Sequence, residues 1–252
     1  MQSFKSVLTA GIIGLCAIVC VAVASAGVVK AVSTFRTAGE TSISATGSAT
    51  RDFESDMAMW SGSFSATGMT SQEAYETITR DMATIRKYLL DNHGITDELQ
   101  YDAVDIRQVY RSEYSEAGNY IGEVFEGYRL TQRVWISLYD VGKVEEIAKN
   151  STRLIEYGVD FYPEPSQYYY TQLDTLKLEM IEDATQNAKE RIDIVAENAG
   201  STVGTLKNAS LGVFQITAWN STGEEFSSSG VFNTTSRWKT ASITVRLQYN
   251  VE

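Results

Sequence analysis

Few side chains in this 252-residue chain are equipped for chemistry, and their spacing argues against a reaction. The single histidine, His93, stands immediately before Gly94 at an expected helix end. There the exposed carbonyls would favour an imidazolium, so capping or plain exposure accounts for it better than catalysis. No nucleophile lies at motif spacing, and no His-x-x-x-His pair exists to seed a metal site. Carboxylates cluster at Glu145 and Glu146 and again at Glu179, Glu182 and Asp183. Both groups fall on polar faces of expected helices and read as solvated surface. A calcium loop would need several oxygen ligands around a turning glycine, and none is present. Both cysteines, Cys16 and Cys20, sit in an apolar run, leaving the rest of the chain without a disulfide or thiolate site. Neither an enzyme nor a cofactor-binding protein is expected.

Two further constellations suit binding. Lys177 and Arg191 lie fourteen residues apart, nearly four helical turns, and so share a helix face. They could form a basic strip for a neighbouring subunit or an anionic ligand. Ordinary surface pairing with Asp174 and Glu190 is the favoured alternative. Tyr168, Tyr169 and Tyr170 could make an aromatic docking patch, since tyrosine is enriched at interfaces. At least one of the three is expected in the core. These five residues are the candidate interface.

The elements that must position them alternate in blocks. Residues 43–47 and 56–64 read as strands, the second with Ala58, Trp60, Gly62 and Phe64 on one face. Thr70 opens a helix through a Thr70–Glu73 capping box, with Ala74, Ile78, Met82, Ile85 and Leu89 as its stripe and Gly94 as its stop. Strands follow over 101–110 and 130–138. In the latter, Leu130, Gln132, Val134, Ile136 and Leu138 alternate with a wetter face. Asp140 caps a second helix whose stripe is Val144, Ile147, Ser151 and Leu154, ending at Gly158. After extended residues 159–165, a long helix carries Leu173, Leu176, Met180, Ala184, Ala188, Ile192, Val195 and Ala199 and stops at Gly200. Strands over 211–219 and 241–251 close the chain. The order predicts an α+β fold with helices packed on a largely antiparallel sheet.

The opening residues set the location. Residues 7–29 carry no charge and would form a helix on the order of 35 Å long, against a hydrocarbon core of roughly 30 Å. Two readings compete. Ala24-Ser25-Ala26 resembles a signal-peptidase site, but the run continues through Val28 and Val29, and its length favours a retained signal-anchor. The expected organisation is therefore an N-terminal transmembrane segment (1–30), a polar linker (31–41) and an extracytoplasmic domain (42–252). The short N-terminal flank is expected to stay inside, with the bulk of the chain in the periplasm or outside the cell. Overall net charge is −11, and Lys5 and Lys30 are the only charges in the first thirty residues. So acidic a domain is unsuited to nucleic acid or to anionic lipid. The expected partners are membrane lipid, through the N-terminal helix, and further copies of the chain.

Several blocks, taken in order, resemble the SIMPL-domain family of bacterial envelope proteins. They are ISATGSATRDFESDMAMWSGSFSATG, then FEGYRLTQRVWISLYDVGKVEEIAK, then the long helix, where Lys177, Ala184, Ala188, Lys189, Arg191, Ala196 and Gly200 fit the family pattern. Ile192 departs from it, standing where relatives usually carry alanine. The resemblance covers residues 42–252 and implies a surface-facing or periplasmic α+β domain. It further implies self-association into rings and links to oxidative or envelope stress tolerance, and it transfers no catalytic residues. A module that binds lipid, peptide or protein through Tyr168 to Tyr170, Trp219 and Trp238 is the alternative.

Overall fold

Strand β2 (Met57–Gly68) holds partners on both edges, which makes it the organising strand. Its alternate residues Ala58, Trp60, Phe64 and Ala66 are buried, as the period-two pattern requires. On one side it pairs antiparallel with β5 (Tyr120–Leu138), in register from Ala58 opposite Leu138 to Gly68 opposite Tyr128. On the other side it pairs with β6 (Asp160–Pro163) and β7 (Gln167–Tyr169). Pro163 can sit in β6 because that short strand lies at the sheet edge, where a missing N–H costs no ladder bond. β3 (Gln100–Tyr101) and β4 (Asp105–Tyr114) pair with β5 and complete six strands.

The computed structural model describes residues 41–221 and 227–251. The apolar run over 7–29 and both cysteines lie outside the described residues. Among the described residues, no helix is long and apolar enough to cross a membrane. The fold is α+β with three α-helices among those residues, and its strands form two antiparallel sheets where one was expected. The second sheet has the order β1 (Ser42–Glu54), β10 (Trp238–Val251) and β8 (Val203–Leu211), with β9 (Gln215–Ala218) also paired to β10.

The chain divides into two compact units. One comprises Ser48–Ala184 and Gly212–Thr244 and holds the main core. There α1 (Ser71–His93) begins with the expected capping box, Thr70 and Glu73 bonding reciprocally at 3.2 Å. It ends at Gly94, whose φ of 62° is left-handed and whose N–H donates to Leu90. Ala74, Ile78, Ile85 and Leu89 of its stripe are buried, and Met82 packs at the margin. Asp140 caps α2 (Val141–Asn150) by accepting from the Lys143 N–H at 2.9 Å. The expected single helix to Gly158 instead tightens into a 3₁₀ segment over Ser151–Tyr157. Buried Ser151 donates its hydroxyl to the Ala148 carbonyl, a local competitor for helical bonding. Val144, Ile147, Ser151 and Leu154 nevertheless all face inward.

The other unit comprises Thr185–Leu211, the strand segment before Ser48 and the segment from Val245 onward. β8 pairs with the end of β10, from Val245 opposite Leu211 to Val251 opposite Val203. The helix α3 (Leu173–Asn198) contributes to both units. Its buried line runs Leu176, Met180, Ala184, Ala188, Ile192, Ala196, always in steps of four. Val195 and Ala199, expected on that line, are exposed. Four residues turn about 400°, so a strict step of four advances about 40° per turn around the helix. A fixed 3.6-residue stripe therefore loses the line near its end. β8 also begins well before residue 211, and its mostly exposed Thr, Lys, Asn and Ser hide it from a pattern search.

Gly62 lies where β2 meets β6, and a Cβ there would fall inside the buried Phe161 ring, which also stacks on Trp60 at 5.8 Å. Gly62→Ala should therefore lower stability by roughly 1–3 kcal/mol through overpacking. Thermal unfolding checks this, and an unchanged Tm would show that the ring can yield without loss.

Candidate functional site

Beyond the pair of Gly68 with Tyr128, β5 loses β2 and continues with β4 alone. Residues 109–127 are thus a two-stranded ribbon, closed by a turn in which Ser115 N–H donates to Asn119 and Gly118 N–H to Ser115. About six residues per strand make this arm roughly 20 Å long. Such ribbons are marginal in water by themselves. Three edge-on aromatic contacts brace this one, Tyr110–Phe125 at 5.5 Å, Phe125–Tyr128 at 5.4 Å and Tyr114–Tyr120 at 5.9 Å. Arg111 adds a 2.8 Å bond to Glu126.

The arm's side chains are unusually apolar for their exposure. Tyr110, Tyr114, Tyr120 and Ile121 are about half exposed or more (49–62 %), and Ile106, Val124 and Phe125 are exposed as well. Contiguous apolar surface of this kind marks an interaction site. Among the described residues neither face of the ribbon is covered, so the period-two logic of a one-sided strand does not apply to it. Two register shifts place an extra residue in β5, Glu126 and then Ile121, while β4 runs straight. Gly127, at φ 128°, makes the first shift feasible, since a Cβ there would strike the Gly68 carbonyl. Among the described residues β4 pairs with β5 only. Its other edge carries neither proline nor lysine, two usual protections of a free edge.

The residues singled out from sequence are placed elsewhere. Tyr168 and Tyr169 lie in β7 and Tyr170 directly follows it, and all three are half-buried. Tyr168 packs on the core and donates to Glu145 at 3.2 Å, with burial and then that carboxylate raising its pKa. Tyr169 donates to Gln167, and Tyr170 packs on Phe53 with ring centroids 4.8 Å apart. Lys177 lies 3.8 Å from Asp174 and sits over the Phe214 ring at 5.9 Å. Arg191, in the other unit, donates to the Thr46 carbonyl at 2.9 Å. Arg51 holds Glu179 and, at 2.8 Å, Asp183, while Arg237 bridges Glu54 and Glu145. Glu179 and Asp183 remain about half exposed (52 and 54 %), solvated helix surface that also pairs with Arg51. No group of three or more His, Cys, Asp or Glu among the described residues is placed to hold a metal ion. Trp219 and Trp238 are both about half exposed and are joined by a backbone bond of 3.0 Å.

A strand–turn–strand signal for the arm does exist: Tyr, Val and Ile on both parities around Ser115, Gly118 and Asn119. The polar stretch Ser112-Glu113-Tyr114-Ser115-Glu116 obscures it, because alternation toward one core is absent.

These features, a central six-stranded antiparallel sheet with α1 and α2 on its buried face, define an α+β domain that projects an aromatic arm. The family model of SIMPL, a protein family of unknown function (DUF541), matches residues 43–250, and the chain belongs to that family. No curated protein matches the chain.

His93 departs from the expectation of a charged cap. Its side chain is 4 % exposed, lies edge-on to Tyr88 at 6.0 Å and sits 4.0 Å from Glu146. Burial pulls its pKa below 6.5 against the opposing pull of Glu146. The folded state therefore holds a neutral imidazole while the unfolded chain takes up a proton below about pH 6.5. Stability is full above that value and falls as pH drops toward the folded pKa. Buried Asp81, with its pKa raised by desolvation, acts in the opposite sense, losing its contribution as pH rises from about 3.8. His93→Phe should therefore lose less Tm than wild type between about pH 7.5 and about pH 5.5. An equal or steeper loss would remove His93 as the source.

Proposed function

We propose that this chain is a non-enzymatic, single-pass envelope protein of a bacterial membrane whose extracytoplasmic domain self-associates into a ring-like homo-oligomer. One observation carries the reading: an exposed aromatic two-stranded arm with a free strand edge, built for contact rather than for enclosing a substrate. The apolar run over residues 7–29 supports retention in the membrane, where each subunit would contribute one anchor. Anchors gathered by one assembly raise membrane avidity without any new lipid contact. The burial of the His93 imidazole against Tyr88 suits a packing role for that side chain. Membership of the SIMPL family is compatible with a supporting role in envelope or oxidative stress tolerance.

The test is the mass of the full chain in mild detergent, by light scattering after size-exclusion chromatography over a wide concentration range. Several copies per particle are expected, persisting on dilution. A strict monomer at every concentration would contradict the proposal.

A further inference from the structure

We infer that two copies of this chain join through their β4 edges, antiparallel about a two-fold axis at Tyr110. This inference rests on the self-association reading above and names its contact. The occupant of the free β4 edge is a second β4 because the strand is complementary to itself. A two-fold axis normal to the sheet preserves its faces, so residues opposite each other must have the same parity. The axis must then pass through a residue and not between two.

The choices are few. An axis at Val109 sets Arg107 against Arg111 and Asp105 against Glu113, and an axis at Arg111 sets that arginine against itself. Like charges directly opposed are destabilising. An axis at Gln108 leaves residues 112–114 without partners. With the axis at Tyr110, the nine residues Ile106 to Tyr114 all pair. Arg107 then faces Glu113, Ile106 faces Tyr114, Gln108 faces Ser112, and Tyr110 faces its own copy. The Arg107–Glu113 pair occurs twice by symmetry, and the exposed apolar side chains Ile106, Tyr110 and Tyr114 share one face. The straight geometry of β4 suits this, because both bulges lie in β5 and leave the outer edge regular. Net charge of −11 opposes association at long range, but it is screened beyond about 8 Å at physiological ionic strength. Local pairs therefore set the register. An isologous contact alone closes a dimer, so a ring built on it contains an even number of copies.

The experiment uses the full chain in mild detergent. Glu113→Arg and Arg107→Glu should each weaken self-association about tenfold or more, by placing like charges opposite each other twice per dimer. The double variant Arg107→Glu/Glu113→Arg should restore it. Both side chains are exposed, so circular dichroism should show unchanged folding. In a Cys16→Ser/Cys20→Ser background, single cysteines at 106, 108, 110, 112 and 114 are oxidised mildly. Disulfide yield should peak at Tyr110→Cys, where opposed Cβ atoms lie about 5 Å apart. Wild type that oligomerises while ignoring both reversals, with no peak at 110, overturns this contact and leaves the self-association reading standing. Wild type that is monomeric throughout overturns both.

Discussion

β2 is paired along both edges, and that pairing orders the six-stranded sheet around it. Its eleven-residue register with β5 and its shorter pairings with β6 and β7 fix which side chains face the helices. A slip of one residue would exchange Trp60 and Phe64 for Met59 and Ser63. Trp60 and Phe64 are wholly buried, so that exchange would forfeit the largest apolar burial in the unit. The small residues of β2 have the matching role. Gly62 leaves room for Phe161, and Gly68 is where the strand ends, giving way to the Thr70 cap of α1.

The end of β2 is also what creates the arm. β5 is nineteen residues long and β2 twelve, so the excess of β5 has only β4 to pair with. The exposed aromatic surface is thus a consequence of strand-length mismatch. The ribbon's rings contact each other edge-on while leaving much of their area in water. Ion pairs elsewhere, such as Arg237 with Glu54 and Glu145, tie β1, α2 and the segment before β10 together within the same unit. By comparison the ion pairs of β4 are local, Arg107 with Asp105 on the same strand and Arg111 with Glu126 on β5.

What could be read from sequence followed burial. The α1 cap, its glycine stop, the Asp140 cap, the inward faces of β2 and β5 and the alternation of β10 all reflect one buried face with a definite period, and each was legible. Strand β8 and the arm were not, because exposed strands carry no alternation to detect. The helix line ending at Ala196 instead of Val195 shows a different limit, a small precession that accumulates over five turns. His93 illustrates a third. Its helix-end position predicts a favoured cation, yet loss of solvent on burial lowers its pKa against the opposing pull of Glu146. Tertiary burial of that kind is invisible from local spacing. Of the five residues proposed as an interface from helical spacing and the enrichment of tyrosine at interfaces, the three tyrosines lie half-buried and Lys177 and Arg191 have local partners. A further exposed aromatic surface sits some forty to sixty residues upstream of the tyrosine triplet.

In the proposed contact the β4 edge, free in one chain among the described residues, is covered by another copy. Residue-resolved amide hydrogen exchange of the full chain in detergent, compared between concentrated and highly diluted samples, tests it most directly. Outward-pointing amides of Ile106 to Tyr114 should gain protection on concentration, while those of β2 stay protected throughout. Equal, rapid exchange along the β4 outer edge in a sample proven to be oligomeric would contradict it.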